Sequence, residues 1–225
     1  MSEEQTKKKM IIFGNKMLPK DLSKEQVDYI NSFDVIVRVN RMNNINQTGN
    51  RVDWWHPDIC RGFLNFLDDE ERMSKIDFSQ ISRIYLTKKV LKKFLIDRDV
   101  KEKFAQKCFG CDYKTIRQSK IQDDSWQYLQ LKNQNSHWKL DTELKNRPTS
   151  TICLISHLVH LFHQEYDIYI FGIDIENREK LLQENEIWNQ GWHRNVGGLE
   201  EKFLKDLIKQ GKIKHLKDNF ETTKA

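Results

Sequence analysis

The chain has only three prolines and nine glycines in 225 residues, and no Pro/Gly/Ser-rich linker interrupts it. That absence predicts one domain spanning 1–225, a length that suits one sizeable α/β domain, with or without an insertion. No run of about 18 apolar residues occurs, which predicts no transmembrane helix. The start, Met1 to Lys9, is polar, and no apolar h-region follows its lysines. A secretory signal is therefore not expected, and a cytosolic compartment is. Cysteine is scarce: Cys60, Cys108, Cys111 and Cys153 are too few and too scattered for a disulfide framework. Cys108 and Cys111 form a single CxxC, without the second pair that a zinc site needs. There is no internal repeat. Neither GxGxxG nor a Walker loop is present, because the required glycines and lysine are missing. No basic stripe with interleaved aromatics is present, so nucleic acid is not an expected partner.

What is present supports a packed core. Hydrophobic residues make up 38% and aromatics 11%, while 32% of residues are charged. Such a composition solvates a surface without favouring disorder. The net charge of +5 suits a phosphate-bearing ligand or an anionic membrane surface but demands neither.

Strand and helix signals alternate along the chain. Met10-Ile11-Ile12-Phe13 is a short apolar run closed by Gly14-Asn15, a buried strand and its turn. Residues 21–31 read as a helix, with Ser23 as N-cap and Gln26 completing a capping box. Residues 33–40 are β-branched and read as a second strand. The Asn/Gly-rich stretch 41–50 reads as a loop, and 51–56 and 81–87 as two further strands. Residues 88–145 are polar and irregular, and read as helices plus a variable insertion. Residues 151–165 are apolar enough for a buried helix, and 166–174 form a near-continuous apolar strand. Leu199, Phe203, Leu204, Leu207 and Ile208 mark one face of a helix ending before Gly211. Residues 212–216 close the series as a short strand. The alternation predicts an α/β fold: a single Rossmann-like domain with a mostly parallel sheet flanked by helices.

Candidate site residues sit where these elements end. A glycine at Gly14 lets a ligand approach the backbone, and Asn15 offers an amide to read a ribose, base or phosphate. The alternative for both is an ordinary turn. Arg38 and Asn40 are two apart on the second strand and suit a phosphate or an acidic sugar; the alternative is a solvated strand end. Arg147, Thr149, Ser150 and Thr151 precede a helix, where hydroxyls and free N–H groups receive anions, or serve as simple caps. Gly172 and Asp174 end the apolar strand, at the edge where open α/β sheets bind ligands. His193 lies in a Gly-flanked loop, and its ordinary pKa near about 6.5 suits a general base. Glu200 or Glu201 is the candidate to orient it; the alternative is an ordinary surface histidine. His157, His160 and His163 recur every third residue on a helix, and packing is the better reading of them than metal binding.

In this order the motifs resemble the sialyltransferases of glycosyltransferase families 29 and 42. One motif runs from Gly14-Asn15 through Val37-Arg38-Val39-Asn40 to Gly49-Asn50-Arg51-Val52-Asp53. A second runs from Thr149-Ser150-Thr151 to Gly172-Ile173-Asp174, with Arg147 three residues before Ser150. A third is His193 followed by Glu200. The chain departs from the families in having Thr151 where a glycine follows Thr-Ser, and Glu176 where the bacterial family has a tyrosine. The resemblance implies a GT-A-like sialyltransferase variant and a metal-independent, inverting transfer. The donor would be a CMP-activated sugar, with no other cofactor, and His193 would be the base. It implies a glycan or glycolipid acceptor and a cytoplasmic protein, with peripheral contact at the inner face of a membrane as one option. Two alternatives stand beside it. One is a member using another nucleotide sugar, or binding a nucleotide or glycan without catalysis. The other is a peripheral protein whose basic segment Lys205 to Lys217 faces a membrane. Donor sugar, linkage and oligomeric state are left open.

Overall fold

A computed structural model of the chain describes residues 6–57, 63–86, 98–122, 148–178, 180, 197–217 and 220. The described strands are β1 (Lys8–Phe13), β2 (Val35–Val39), β3 (Trp54–His56), β4 (Arg83–Tyr85), β5 (Ile121–Gln122), β6 (Tyr166–Phe171) and β7 (Lys214–His215). They form one seven-stranded sheet in the order β5-β4-β3-β2-β1-β6-β7. Every pairing is parallel. The described helices are α1 (Lys24–Asn31), α2 (Ile45–Thr48), α3 (Phe63–Leu67), α4 (Glu70–Met73), α5 (Arg98–Phe109), α6 (Tyr113–Ser119), α7 (Ser150–Phe162) and α8 (Gly197–Lys209). The architecture is an α/β fold of Rossmann-like type, as the alternation predicts.

Burial explains the strand composition. Both faces of a parallel sheet are covered, so β2 reads VIVRV with all five residues buried. Met10 and Ile12 of β1, Val35, Val37 and Val39 of β2, and Ile168 and Ile170 of β6 face α7 and α8 in one core cluster. The alternate residues, Ile11, Phe13, Ile36 and Phe171, face α1 with Ile30 and Phe33. Further along that second face, Trp55 and Ile84 pack against Phe104, Tyr113 and Ile116 of α5 and α6. α1 begins as its sequence dictates: Ser23 accepts from Gln26 N and Gln26 returns a bond to Ser23 N.

Three expectations change in part. The loop 41–50 contains the short helix α2. Within 88–145 the expected helices are present as α5 and α6, but residues 121–122 add an edge strand, β5, that was not expected. The apolar stretch 166–174 leaves the sheet at Phe171, because Gly172 turns with φ +64°. Among the described residues, no helix is long and apolar enough to cross a membrane.

Candidate functional site

The strand order reverses beside β1. Chain order runs outward from β1 through β2, β3, β4 and β5, then returns to β6 on the other side of β1. At such a switch point the loops from two adjacent parallel strands leave in opposite directions and open a crevice at their carboxyl ends. Here those loops are Gly14-Asn15-Lys16 after β1 and Gly172-Ile173-Asp174 after β6, since Phe13 pairs with Phe171.

The two loops touch. Gly14 N donates to Phe171 O at 2.8 Å and Lys16 N donates to Gly172 O at 3.3 Å. A Cβ at Gly14 would stand 2.2 Å from Gly172 O and 2.5 Å from Ile173 Cγ1. The glycine at position 14 is thus required by the chain's own backbone, a correction to the expectation that it makes room for a ligand. Lys16 Nζ of the β1 loop also meets Asp174 Oδ1 of the β6 loop at 2.7 Å, with both side chains about one-third exposed (33% and 35%).

Asn44, which the motif reading passed over, ties the β2–β3 connection to this floor. Its Nδ2 donates to Gly14 O at 3.0 Å and to Lys16 O at 2.9 Å. Both partners are carbonyls, so the amide orientation is fixed. Asn15, half-buried, accepts from Asn43 N through Oδ1 at 3.3 Å. Asn40 marks the end of β2. Its φ of +54° takes the chain out of the extended form, which asparagine tolerates better than most residues. The two-residue alternation that set Asn40 beside Arg38 therefore stops at Val39. Asn40 N donates to His56 O at 2.7 Å and its carbonyl accepts from Trp55 Nε1 at 2.9 Å. His56, at the end of β3, is fully buried, with Nδ1 2.8 Å from Tyr85 O. A carbonyl only accepts, so Nδ1 carries the proton.

Arg38 is not at the crevice mouth. It is 1% exposed, on the face of the sheet that also carries Phe13. Its guanidinium donates to Arg51 O, Thr48 Oγ1, Thr48 O and Gly49 O, and stacks 4.3 Å over the Phe13 ring. All three nitrogens are committed to the connection between β2 and β3. Burial pushes its pKa down to about 9, with Asp53 opposing, so it remains a cation at neutral pH. The expected anion contact is replaced by a loop clamp. The Arg51 and Asp53 of the same motif are structural too: they pair at 2.9 Å, and Asp53 accepts from Ile36 N.

A second ion pair joins the β6 loop to two helix starts. Arg178 donates through Nε to Glu200, through Nη1 to Asp174 O at 3.2 Å, and through Nη2 to Thr149 Oγ1 at 3.3 Å. Glu200 is fully buried, and its other oxygen accepts from Thr149 N at 2.5 Å. One carboxylate thus sits in the first turn of α8 and at the N-cap of α7, where helix dipoles favour negative charge. The structure gives Glu200 a scaffold role that its spacing from His193 does not suggest. Ser150 and Thr151 occupy the first turn of α7, half-buried.

Arg147 and His193 lie outside the described residues. Of the three histidines, His157 is a packing residue, buried with its ring 5.8 Å from that of Tyr85, while His160 is exposed and His163 caps the helix end through Val159 O. Cys153 is buried on α7, and desolvation, with the Glu200 charge as a lesser cause, pushes its thiol well above the ordinary range. Cys108 is raised by burial as well. Neither is a nucleophile at neutral pH. No family model matches the chain, and no curated protein matches it.

Proposed function

We propose that the chain is a glycosyltransferase of the sialyltransferase type, a GT-A-like variant of the Rossmann-like fold. It transfers a sugar from a CMP-activated donor to a glycan or glycolipid acceptor. One observation carries the reading. Gly14-Asn15, Thr149 and Gly172-Ile173-Asp174, selected from sequence by motif order, belong to one hydrogen-bonded set at the switch point. Motifs more than 130 residues apart would not meet at the ligand-binding edge of a sheet by composition alone.

In this reading Asn15, Ser150, Thr151 and the α7 amides donate to the leaving phosphate, stabilising charge that grows as the glycosidic bond breaks. The acceptor hydroxyl gives its proton to His193 as its oxygen attacks the anomeric carbon. The carbon–phosphate oxygen bond breaks, its electron pair leaves on CMP, and configuration inverts. Arg178 and Glu200 hold the β6 loop against the α7 start and touch no reacting atom.

The test is thermal stabilisation by nucleoside mono- and diphosphates without added metal, followed by donor turnover. CMP at about 100 times its dissociation constant is expected to stabilise by about 2.7 kcal/mol. His193→Ala is expected to keep that shift and lose about two or more orders of magnitude in rate. A shift with uridine or guanosine diphosphate alone would discard the donor, and no shift with any nucleotide would discard the reading.

A further inference from the structure

We infer that the outward face of α8 and the turn into β7 form a docking surface for a layer of anionic lipid headgroups. The inference stands apart from the nucleotide reading and uses none of the residues given a role there. Charge is concentrated on this flank of the sheet. Residues 202–217 hold six lysines, Lys202, Lys205, Lys209, Lys212, Lys214 and Lys217, against one acid, Asp206. That excess equals the net charge of +5 of the whole chain, so the remainder is neutral in balance. Position makes the lysines one surface. Lys202, Lys205 and Lys209 fall within about 60° of arc and about 10 Å of length on α8, and all three are exposed. Gly211 then turns with φ +67°, its N–H donating to Ile208 O and that of Lys212 to Leu207 O. The turn returns the chain to the sheet, where β7 pairs with β6 through Lys214 and His215. Lys212 and Lys214 are thereby held close to the helix end.

The other face of α8 decides how the surface binds. Phe203, Leu204 and Leu207 are buried in the core, so the helix has no apolar face to insert among acyl chains, and charge at headgroup level carries the attraction. Every cation of the patch is a lysine; none of the chain's arginines lies within 202–217. A guanidinium fork reads one phosphate or carboxylate in a fixed geometry, whereas an ammonium is a point charge, which suits headgroups that move laterally. Nucleic acid fits less well, because Phe203, the one Phe, Tyr or Trp in 202–217, is buried and unavailable for stacking. Lys205 and Lys214 pair with Glu201 at 2.6 Å and Asp167 at 3.0 Å, with the two lysine side chains 52% and 50% exposed. Pairs this open are weak and exchange readily for a headgroup phosphate or carboxylate.

The experiment is sedimentation of the full chain with vesicles of phosphatidylcholine alone and of phosphatidylcholine mixed with phosphatidylserine. Binding is expected only to the mixed vesicles, and is expected to fall about tenfold or more as salt rises from about 0.05 to about 0.5 M. Lys202→Gln, Lys205→Gln and Lys209→Gln combined are expected to lose about a hundredfold in partition coefficient with a melting temperature near that of the wild type. The same three positions changed to arginine are expected to keep the binding, because the charge is kept. Lys20→Gln, Lys24→Gln and Lys114→Gln together remove equal charge from exposed positions outside 202–217, and are expected to keep most of it. Equal losses in the two glutamine sets overturn the surface, since net charge alone then explains the binding. Loss in the arginine set, or equal binding to both vesicles, overturns it as well. No binding to either vesicle also overturns it, and retention on dextran sulfate in that case makes an acidic polymer the occupant.

Discussion

Two ion pairs lie beside the β1–β6 switch point, and burial separates them. Arg178 and Glu200 are 12% and 0% exposed, and their remaining polar atoms are satisfied by Thr149 and Asp174 O. Lys16 and Asp174 are 33% and 35% exposed. Breaking a buried pair strands a charge in a medium that cannot solvate it, at about 3–5 kcal/mol. An exposed pair contributes about 0–1 kcal/mol, because water takes over when it parts. Proximity to the switch point therefore does not by itself make a charged residue a ligand contact. The buried pair holds the walls together, and the open pair is cheap to rearrange. The same criterion separates Arg38, buried with four donated bonds, from Lys16.

The largest expected effect breaks the buried side of that comparison. Glu200→Ala removes the acceptor of Thr149 N and leaves the Arg178 guanidinium, mostly buried, without its carboxylate. A loss of about 3–5 kcal/mol is expected in urea or thermal unfolding. A loss below about 1 kcal/mol, the range of an exposed pair, would collapse the distinction between the two pairs. Glu200→Gln keeps the shape and one acceptor, so it is expected to lie between the two.

The next effect concerns the contact that brings both pairs to the same edge. Gly14→Ala would set a methyl 2.2 Å from Gly172 O, a backbone atom with nowhere to swing. Overpacking of this kind costs about 1–3 kcal/mol. The added carbon pushes the β1 loop from the β6 loop, so it strains the Lys16–Asp174 bridge and not the Arg178–Glu200 pair, which lies on the β6 side. A denaturant midpoint unchanged from the wild type would show that the two loops do not pack in backbone contact.

Much of the frame was legible in the residue order, for identifiable reasons. β1, β2 and β6 are buried on both faces, so their apolar runs stand out. α1 carries a capping box, and α8 its apolar face. β5 was not legible: two residues, Ile121–Gln122, join the sheet only because β4 offers an edge, and no period exists in two residues. Nor was the role of Arg38, because alternation tells which face a side chain is on and not which carbonyls wait there. Asn44, Lys16 and Arg178 escaped for a related reason. Apart from Asp174 O, four residues from Arg178, the partners named above are 28–30, 158 and 22–29 residues away respectively, and no spacing rule reaches so far. The motif glycine at 14 was found, but its cause, a backbone crossing, is visible only when β6 is beside β1.

The smallest effect extends the burial scale to its exposed end. Asp112 is fully solvated and caps α6, accepting from Thr115 N at 2.9 Å and from Thr115 Oγ1 at 3.1 Å. Those bonds, the backbone one first, hold its carboxyl below the ordinary carboxylate range. A carboxyl depressed in the folded state contributes stability above its unfolded value, about 3.9, and loses it as pH falls through the folded value. Asparagine caps a helix about as well without titrating. Asp112→Asn is therefore expected to match the wild type near neutrality and to unfold with a shallower acid dependence below about pH 4. The difference between the two melting curves, followed from pH 6 to pH 2, isolates the cap. Parallel curves over that range would mean that the Asp112 charge adds nothing to its hydrogen bonds. Glu200 cannot be probed in this way by an isosteric swap alone, because its charge also neutralises Arg178, and that is the physical content of the contrast between a buried carboxylate and an exposed one.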